Sequence, residues 1–271
     1  MKSKLKSITV HYELFGEGKP LIFLPGWGMS AHISAHLMEP IFSHREGRQR
    51  LYIDPPGHGG TRGPDWINNQ DMMLEVIIQF IDQELPEQRF VLAGMSSGAY
   101  LARGLLYHRA NLVDGLLLLV PVIWAEESKR TLPPHIVVFE DPTLEPAELE
   151  MLSVLNVRSK KLLNKALAIP HPAADEAGDQ DFLERIRLTE ENYAFSFDVD
   201  ALPQPFARPT LIITGRQDSI AGYRDSWQLL EQYPRATYVV LDRSGHYLEE
   251  KEEINKALIH EWLDRVEESI A

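Results

Sequence analysis

Cysteine is absent from this 271-residue sequence. Its absence excludes a disulfide framework, a thiolate nucleophile and a zinc site with cysteine ligands. Apolar runs such as 116–120 are far shorter than a membrane span requires. Basic residues are outnumbered, because 27 Lys and Arg stand against 40 Asp and Glu, a formal net charge of −13. Nucleic acids and anionic membranes bind basic surfaces, so neither is expected as a partner.

The remaining composition is that of an ordinary globular protein, 44% hydrophobic and 25% charged. The length suits one large α/β domain or two small ones. The basic N-terminus is not followed by a long apolar stretch with a small-residue cleavage site, so we predict a cytoplasmic location. Nothing in the sequence predicts an oligomeric state.

Short apolar runs alternate with segments of helical spacing along the chain. Strands are predicted at 8–15, 21–24, 50–53, 90–93, 112–120, 209–214 and 236–241. Helices are predicted at 32–41, 66–85, 99–108, 223–232 and 249–266. This alternation indicates an α/β fold with a mostly parallel central sheet flanked by helices. Residues 122–206 interrupt it, with helical patches at 147–155, 159–168 and 181–188 and no long strand run.

One stretch links a predicted strand directly to a predicted helix. Residues 94–98 read Gly-Met-Ser-Ser-Gly. In that context Gly-x-Ser-x-Gly is typical of a nucleophile elbow, where the serine sits in a strained turn and the glycines leave room for close neighbours. The helix N-terminus beneath favours the negative charge that develops during attack. We therefore predict Ser96 as a nucleophile; the alternative is a small-residue turn with a solvated serine.

The elbow and its surroundings resemble the α/β-hydrolase superfamily. The resemblance implies a core of residues 1–121 and 207–271 and an inserted helical cap of residues 122–206. It also implies the order serine, acid, histidine along the chain. Asp218 stands in a loop similar to the family's acid loop, and His246 in one similar to its histidine loop. Asp242, close to His246, is a minor alternative acid.

The expected roles follow from the chemistry of a serine hydroxyl, which needs a base at neutral pH. We expect Ser96 to attack, His246 to accept and return the proton, and Asp218 to fix the histidine tautomer. The oxyanion then needs two donors, predicted as the backbone N–H groups of Ser97 and Trp27. Pro25 stands where the family commonly has a histidine, so a bracing contact of that histidine is expected to be missing.

The sequence offers three further groups of candidate residues. The loop at 54–59 resembles a structural loop of the family, and His58 is interpreted as a loop residue. His32 and His36 are four apart, but no third ligand pattern completes a metal site, so neither a metal nor a cofactor is predicted. Four aromatic residues are candidates for a substrate pocket and equally for the core: Trp124, Phe139, Tyr193 and Phe195.

The resemblance implies a Ser-His-Asp hydrolase acting on a small-molecule substrate, a small, mostly apolar carboxylic ester or thioester, through an acyl-enzyme. Two alternatives stay open. One is hydrolysis of a carbon–carbon bond in a diketone-like substrate, which would need a basic residue from the cap for the substrate carboxylate. The candidates are Arg158, Lys160, Lys161, Arg185 and Arg187. The other is a hydrolase-like ligand-binding protein or receptor.

Overall fold

The structure is a computed structural model that describes residues 1–42, 45–169, 177–248 and 252–270. Its strands are β1 (Lys2–Lys4), β2 (Thr9–Phe15), β3 (Lys19–Leu24), β4 (Arg48–Ile53), β5 (Phe90–Met95), β6 (Val113–Leu119), β7 (Phe139–Glu140), β8 (Val157–Arg158), β9 (Thr210–Gly215) and β10 (Ala236–Leu241). Its α-helices are α1 (Ala31–Phe42), α2 (Gln70–Glu84), α3 (Ser97–Arg109), α4 (Pro146–Met151), α5 (Lys160–Ala168), α6 (Gln180–Arg187), α7 (Glu190–Tyr193) and α8 (Glu252–Ile270).

Within the described residues, one eight-stranded sheet has the order β1-β2-β4-β3-β5-β6-β9-β10. The pairs β1–β2 and β2–β4 are antiparallel, and the other pairs of this sheet are parallel. The order reverses direction between β3 and β5. Open α/β sheets place their binding crevice at such a switch point, beyond the carboxyl ends of the strands.

The sheet is buried on both faces, because its strands alternate apolar side chains between two cores. In β6, Leu116 and Leu118 face the core that contains α2 and α3. Leu117 and Leu119 face the opposite core, which contains α1 and α8. Helices on both faces explain why these strands read as unbroken apolar runs in the sequence. The predicted α/β fold with a mostly parallel sheet is confirmed.

Two predicted elements differ in detail. Helix α2 begins at Gln70 rather than near residue 66, because the side chain of Asn69 accepts a hydrogen bond from Met72 N and caps it. Residues Asp225–Glu231 form a 3₁₀ helix rather than an α-helix. Its buried residues, Ser226 and Leu229, are three apart, which matches three residues per turn.

The segment 122–206 also contains the short parallel pair β7–β8, which the sequence pattern did not predict. Two residues per strand are too few to produce a periodic signal. The start predicted for the last helix, at residues 249–251, lies outside the described residues. In the described part of the chain, no helix combines the length and apolarity that crossing a bilayer requires.

Candidate active site

Ser96 occupies the turn between β5 and α3 with φ +55° and ψ −117°, a strained conformation for a residue with a side chain. Its N–H donates to Leu119 O of the neighbouring strand at 2.9 Å. The flanking glycines permit the turn. A Cβ on Gly94 would lie 2.4 Å from Gly98 O, and one on Gly98 would lie 2.2 Å from Leu24 O. The turn therefore presses β5, α3 and the end of β3 together.

Asp218 and His246 follow the carboxyl ends of β9 and β10, which are neighbours in the sheet. The two loops touch closely, because a Cβ on Gly215 would lie 2.3 Å from Gly245 O. Gln217 N also donates to Ser244 O at 2.9 Å. The two loops consequently hold each other in place.

A continuous hydrogen-bonded chain joins the three side chains. His246 Nε2 lies 2.8 Å from Ser96 Oγ, and His246 Nδ1 lies 2.9 Å from Asp218 Oδ2. A carboxylate only accepts hydrogen bonds, so Nδ1 carries the proton and Nε2 is left to accept from the serine hydroxyl. Asp218 is fully buried, and Ser96 and His246 are each 8% exposed.

Asp218 is oriented by the backbone of its own loop. Its Oδ1 accepts hydrogen bonds from the N–H groups of Ile220 and Ala221, both at 2.9 Å. The other oxygen is then directed at His246. Backbone N–H groups that bind the charged form of a carboxylate stabilise it in a buried site.

Trp27 lies in the loop after β3, beside the serine. The loop is closed by a hydrogen bond from Met29 N to Gly26 O at 3.0 Å. A Cβ built on Gly26 would lie 3.5 Å from Ser96 Cβ. In the described residues, neither Trp27 N nor Ser97 N donates to a backbone carbonyl. The two predicted oxyanion donors are therefore backbone N–H groups that bind no backbone carbonyl in the described residues.

Asp54 contacts the start of α1, where the loop that carries Trp27 ends. Its buried carboxylate accepts hydrogen bonds from Ala31 N, at the start of α1, and from Gly60 N at 2.9 Å. His11 Nδ1 lies 2.9 Å from the same carboxylate. The contact with Ala31 N fixes the end of the loop that carries Trp27, although Pro25 replaces the family's usual histidine.

Aromatic and cationic side chains cover Trp27. The Tyr193 and His58 rings approach the Trp27 ring edge-on, with centroids at 5.2 and 5.4 Å. The Arg187 guanidinium lies over Trp27 at 5.6 Å and over Tyr193 at 5.4 Å. Burial raises the pKa of Tyr193 to about 12, and the cations Arg187 and Arg130 and a hydrogen bond with Ser97 oppose the rise. The phenol is therefore protonated at neutral pH.

His58, interpreted from the sequence as a loop residue, contacts this site through Trp27, a contact that the sequence analysis did not predict. It is 1% exposed, and its Nδ1 lies 3.1 Å from Pro56 O. Burial lowers its pKa, so the imidazole is neutral at neutral pH. The available signal was topological: β4 neighbours β3 in the sheet, so the loops after these two strands lie side by side.

Several other candidates lie apart from the serine. Asp242 is exposed, and its carbonyl accepts from Gln217 Nε2 at 3.1 Å, whereas His246 pairs with Asp218. His32 pairs with Glu13 at 2.9 Å, and the described residues hold no cluster of three side chains suited to a metal.

The aromatic candidates separate in the same way. Tyr193 contacts Trp27, but Phe139 is exposed beneath Arg243. Phe195 packs on Tyr100 of α3 at 4.6 Å, which assigns its ring to the core.

A model of the alpha/beta hydrolase family matches residues 21–257, most of the chain. The chain is a member of this family. It is similar to the pimeloyl-(acyl-carrier protein) methyl ester esterase of Vibrio campbellii, with 23% identity over 257 residues, 89% of this chain and 92% of that one.

Two solved structures place the family fold on nearly the full chain. An alpha/beta superfamily hydrolase from Oenococcus oeni PSU-1 has a TM-score of 0.85 and 27% identity, covering 98% of this chain and 99% of that one. A meta-cleavage product hydrolase from Pseudomonas fluorescens IP01 has a TM-score of 0.68 and 23% identity, covering 95% and 94%. The second likeness shows the shared fold alone.

Proposed function

We propose that this alpha/beta hydrolase is a serine esterase that cleaves a small, mostly apolar carboxylic ester or thioester through an acyl-enzyme. The observation that carries the proposal is the hydrogen-bonded chain from Ser96 Oγ through His246 to Asp218. The similarity to an ester hydrolase of Vibrio campbellii supports ester cleavage.

In the proposed reaction, Ser96 Oγ attacks the ester carbonyl while its proton moves to His246 Nε2 at 2.8 Å. Asp218 holds Nδ1–H and stabilises the imidazolium that forms. His246 then returns the proton to the leaving oxygen or sulfur. Water repeats the sequence on the acyl-enzyme and releases the acid.

The oxyanion of the tetrahedral intermediate is bound by the N–H groups of Ser97 and Trp27 in this proposal. Ser97 is the first residue of α3, so its N–H has no partner within the helix and shares the positive helix dipole. Removing one such donor typically costs about a hundred- to a thousandfold in rate.

We further propose that residues 122–206 form a cap over a core of residues 1–121 and 207–271. Phe182 of α6 packs so closely on the core loop that a Cβ on Gly63 would lie 2.0 Å from its ring. Tyr193 of α7 covers Trp27. Aromatic rings around a buried serine favour binding of an apolar acyl group.

Labelling with a fluorophosphonate probe tests the serine mechanism. We expect the wild-type protein to be labelled, and Ser96→Ala and His246→Ala to remain unlabelled under the same conditions. Asp242→Asn is the control for a nearby loop substitution. A panel of p-nitrophenyl esters of graded chain length then measures the acyl preference. Labelling of Ser96→Ala at the wild-type rate would overturn the assignment, and ligand binding without any labelling would favour the receptor alternative.

A carbon–carbon hydrolase remains the second candidate, because one of the five basic residues lies at the site. Arg187 lies over Trp27. Arg158 and Lys160 instead pair with Glu140 and Glu148 within the segment 122–206, and Lys161 is exposed.

The fifth residue, Arg185, pairs with Asp65 on the protein surface. Arg187 also pairs with a carboxylate, that of Glu127 at 2.8 Å, but it is the one of the five that lies beside Trp27, so it is the candidate to receive a substrate carboxylate.

Paired substrates distinguish the two candidates. Arg187→Met is expected to raise KM for a diketone or ester carrying a free carboxylate by roughly tenfold, the value of about 1.4 kcal/mol of binding. KM for the matching neutral ester should stay unchanged. Arg185→Met is the matched control, since that residue lies on the same helix. Faster cleavage of the diketone than of every ester would favour carbon–carbon hydrolysis.

A further inference from the structure

Arg130 is a buried cation that binds backbone oxygens of two separate segments. It follows the 3₁₀ helix Glu127–Lys129, and its side chain is 4% exposed. Nε donates to Trp124 O at 2.9 Å, and Nη2 donates to Ala125 O at 3.0 Å. Nη1 donates to Ile220 O at 3.1 Å, across to the loop of Asp218.

The nearby carboxylate does not account for this position. Glu127 Oε1 is 3.7 Å from Arg130 Nη1, beyond hydrogen-bonding distance, and its side chain is 66% exposed. The same oxygen lies 2.8 Å from Arg187. Burying a guanidinium is costly unless its N–H groups are satisfied, and here carbonyl oxygens satisfy them.

The contact with Ile220 has a specific consequence because of peptide geometry. The carbonyl of Ile220 and the N–H of Ala221 belong to one rigid planar group. Arg130 binds the oxygen of this peptide group. The N–H of the same group, that of Ala221, donates to Asp218 Oδ1 at 2.9 Å. A hydrogen bond to a carbonyl polarises the peptide and strengthens its N–H as a donor. The guanidinium therefore lies one peptide group away from the carboxylate.

We propose that Arg130 is a positioning residue for Asp218. By holding and polarising the 220–221 peptide, it keeps the Asp218 carboxylate aimed at His246. The inference rests on the proposed function and deepens it, since it connects the segment 122–206 to the proton-transfer residues. A second bridge joins the same two segments, because Thr131 N donates to Asp225 Oδ2 at 2.7 Å. That bridge does not include the 220–221 peptide and serves as the comparison.

A double-mutant cycle separates positioning from a general structural role. The readout is the rate of fluorophosphonate labelling of the folded protein, with the denaturation midpoint measured in parallel. Arg130→Met is expected to slow labelling by roughly ten- to a hundredfold, as misplacement of a catalytic group does. In an Asp218→Asn background it should cause no further loss, because its effect passes through that carboxylate.

Two further variants complete the cycle. Arg130→Lys keeps the charge but does not span three carbonyls, so we expect a smaller loss in the wild-type background and none in Asp218→Asn. This variant also decides the question if Arg130→Met does not fold. Asp225→Ala removes the comparison bridge and should keep labelling within about threefold, since it leaves the peptide contact intact.

The possible results distinguish failure of the proposed function from failure of the inference on Arg130. Wild-type protein that is not labelled refutes the proposed function. Labelling of wild type together with undiminished labelling of the Arg130 variants refutes this inference alone. Equal losses in the wild-type and Asp218→Asn backgrounds also refute it, because they indicate a structural effect that does not depend on the carboxylate.

Discussion

Gly98→Ala tests whether the turn at Ser96 holds the loop of Trp27 in place. A Cβ at Gly98 would lie 2.2 Å from Leu24 O and 2.3 Å from Pro25 O. Carbon and oxygen normally approach no closer than about 3.3 Å, so one side must move by about 1 Å. Both atoms are backbone of the chain that leads to Trp27, and no side-chain rotation relieves the contact.

The size of the effect follows from two opposing contributions. Overpacking costs roughly 1–3 kcal/mol, and two backbone clashes place Gly98→Ala at the upper end. Replacing glycine by alanine inside a helix returns about 1 kcal/mol. The net loss is then about 2 kcal/mol, which lowers Tm by roughly 4–8 °C. A 1 Å displacement of the oxyanion loop is expected to slow labelling and ester cleavage about a hundredfold.

Gly104→Ala is the matched control on the same helix, where the gain in helix propensity is identical. Its Cβ would meet the ends of two side chains, the Phe195 ring at 2.8 Å and the Leu74 methyl at 2.9 Å. These side chains adjust, so activity should remain within about threefold. Wild-type labelling rates in Gly98→Ala would refute the reasoning and weaken the assignment of Trp27 as an oxyanion donor.

Three further predictions concern pH, a buried ion pair and the choice of acid. Because burial lowers the pKa of His58, the unfolded state binds a proton that the folded state excludes. Stability is therefore greatest above about pH 6.5 and falls below it by up to about 1.4 kcal/mol per pH unit, and His58→Gln should flatten urea midpoints measured between pH 7.5 and 5.5. Arg103 is 1% exposed and binds Asp200 at 2.6 and 2.9 Å. Asp200→Asn should cost about 3 kcal/mol, and Arg103→Met combined with Asp200→Leu should cost less, measured by denaturation. Asp218→Asn should reduce ester cleavage about ten-thousandfold, and Asp242→Asn should leave it unchanged.

Each of these has a contrary result. A wild-type midpoint that is independent of pH would show that His58 titrates alike in both states. A double variant less stable than Asp200→Asn would show that the pair itself, rather than the unpaired Arg103 cation, determines stability. Equal losses in Asp218→Asn and Asp242→Asn would refute the choice of Asp218.

The fold was predictable from the sequence because burial on both faces leaves a clear signal. Runs such as 116–120 contain no polar residue, as expected for strands of a sheet that is covered by helices on both faces. The neighbourhood of Ser96, Asp218 and His246 was predictable for a related reason. Each follows a parallel strand directly, and the carboxyl ends of parallel strands share one edge of the sheet.

Contacts made by backbone atoms were not predictable in the same way. Arg130 binds the carbonyl of Ile220, ninety positions along the chain, and a carbonyl has no residue-specific signal. The environment of His58 is formed by Trp27, which also contacts Tyr193, and these three residues are far apart in the sequence. The preference for Asp218 over Asp242 came from the resemblance, and the geometry adds the 2.9 Å contact of His246 Nδ1 with Asp218.

The pairing of β6 with β9 determines how freely the segment between them can change. Leu116–Leu119 pair with Thr210–Ile213, so the chain leaves and returns on adjacent strands about 5 Å apart. The spacing of the strands that lead to Ser96 and His246 is therefore set by the sheet and not by the length of residues 122–206. Two buried arginines are among the contacts that tie that segment to the core, Arg130 through Ile220 and Arg103 through Asp200. Under the proposed cap assignment, exchanging the insert is expected to change the substrate range when the replacement keeps the contacts with Ile220 and Asp200.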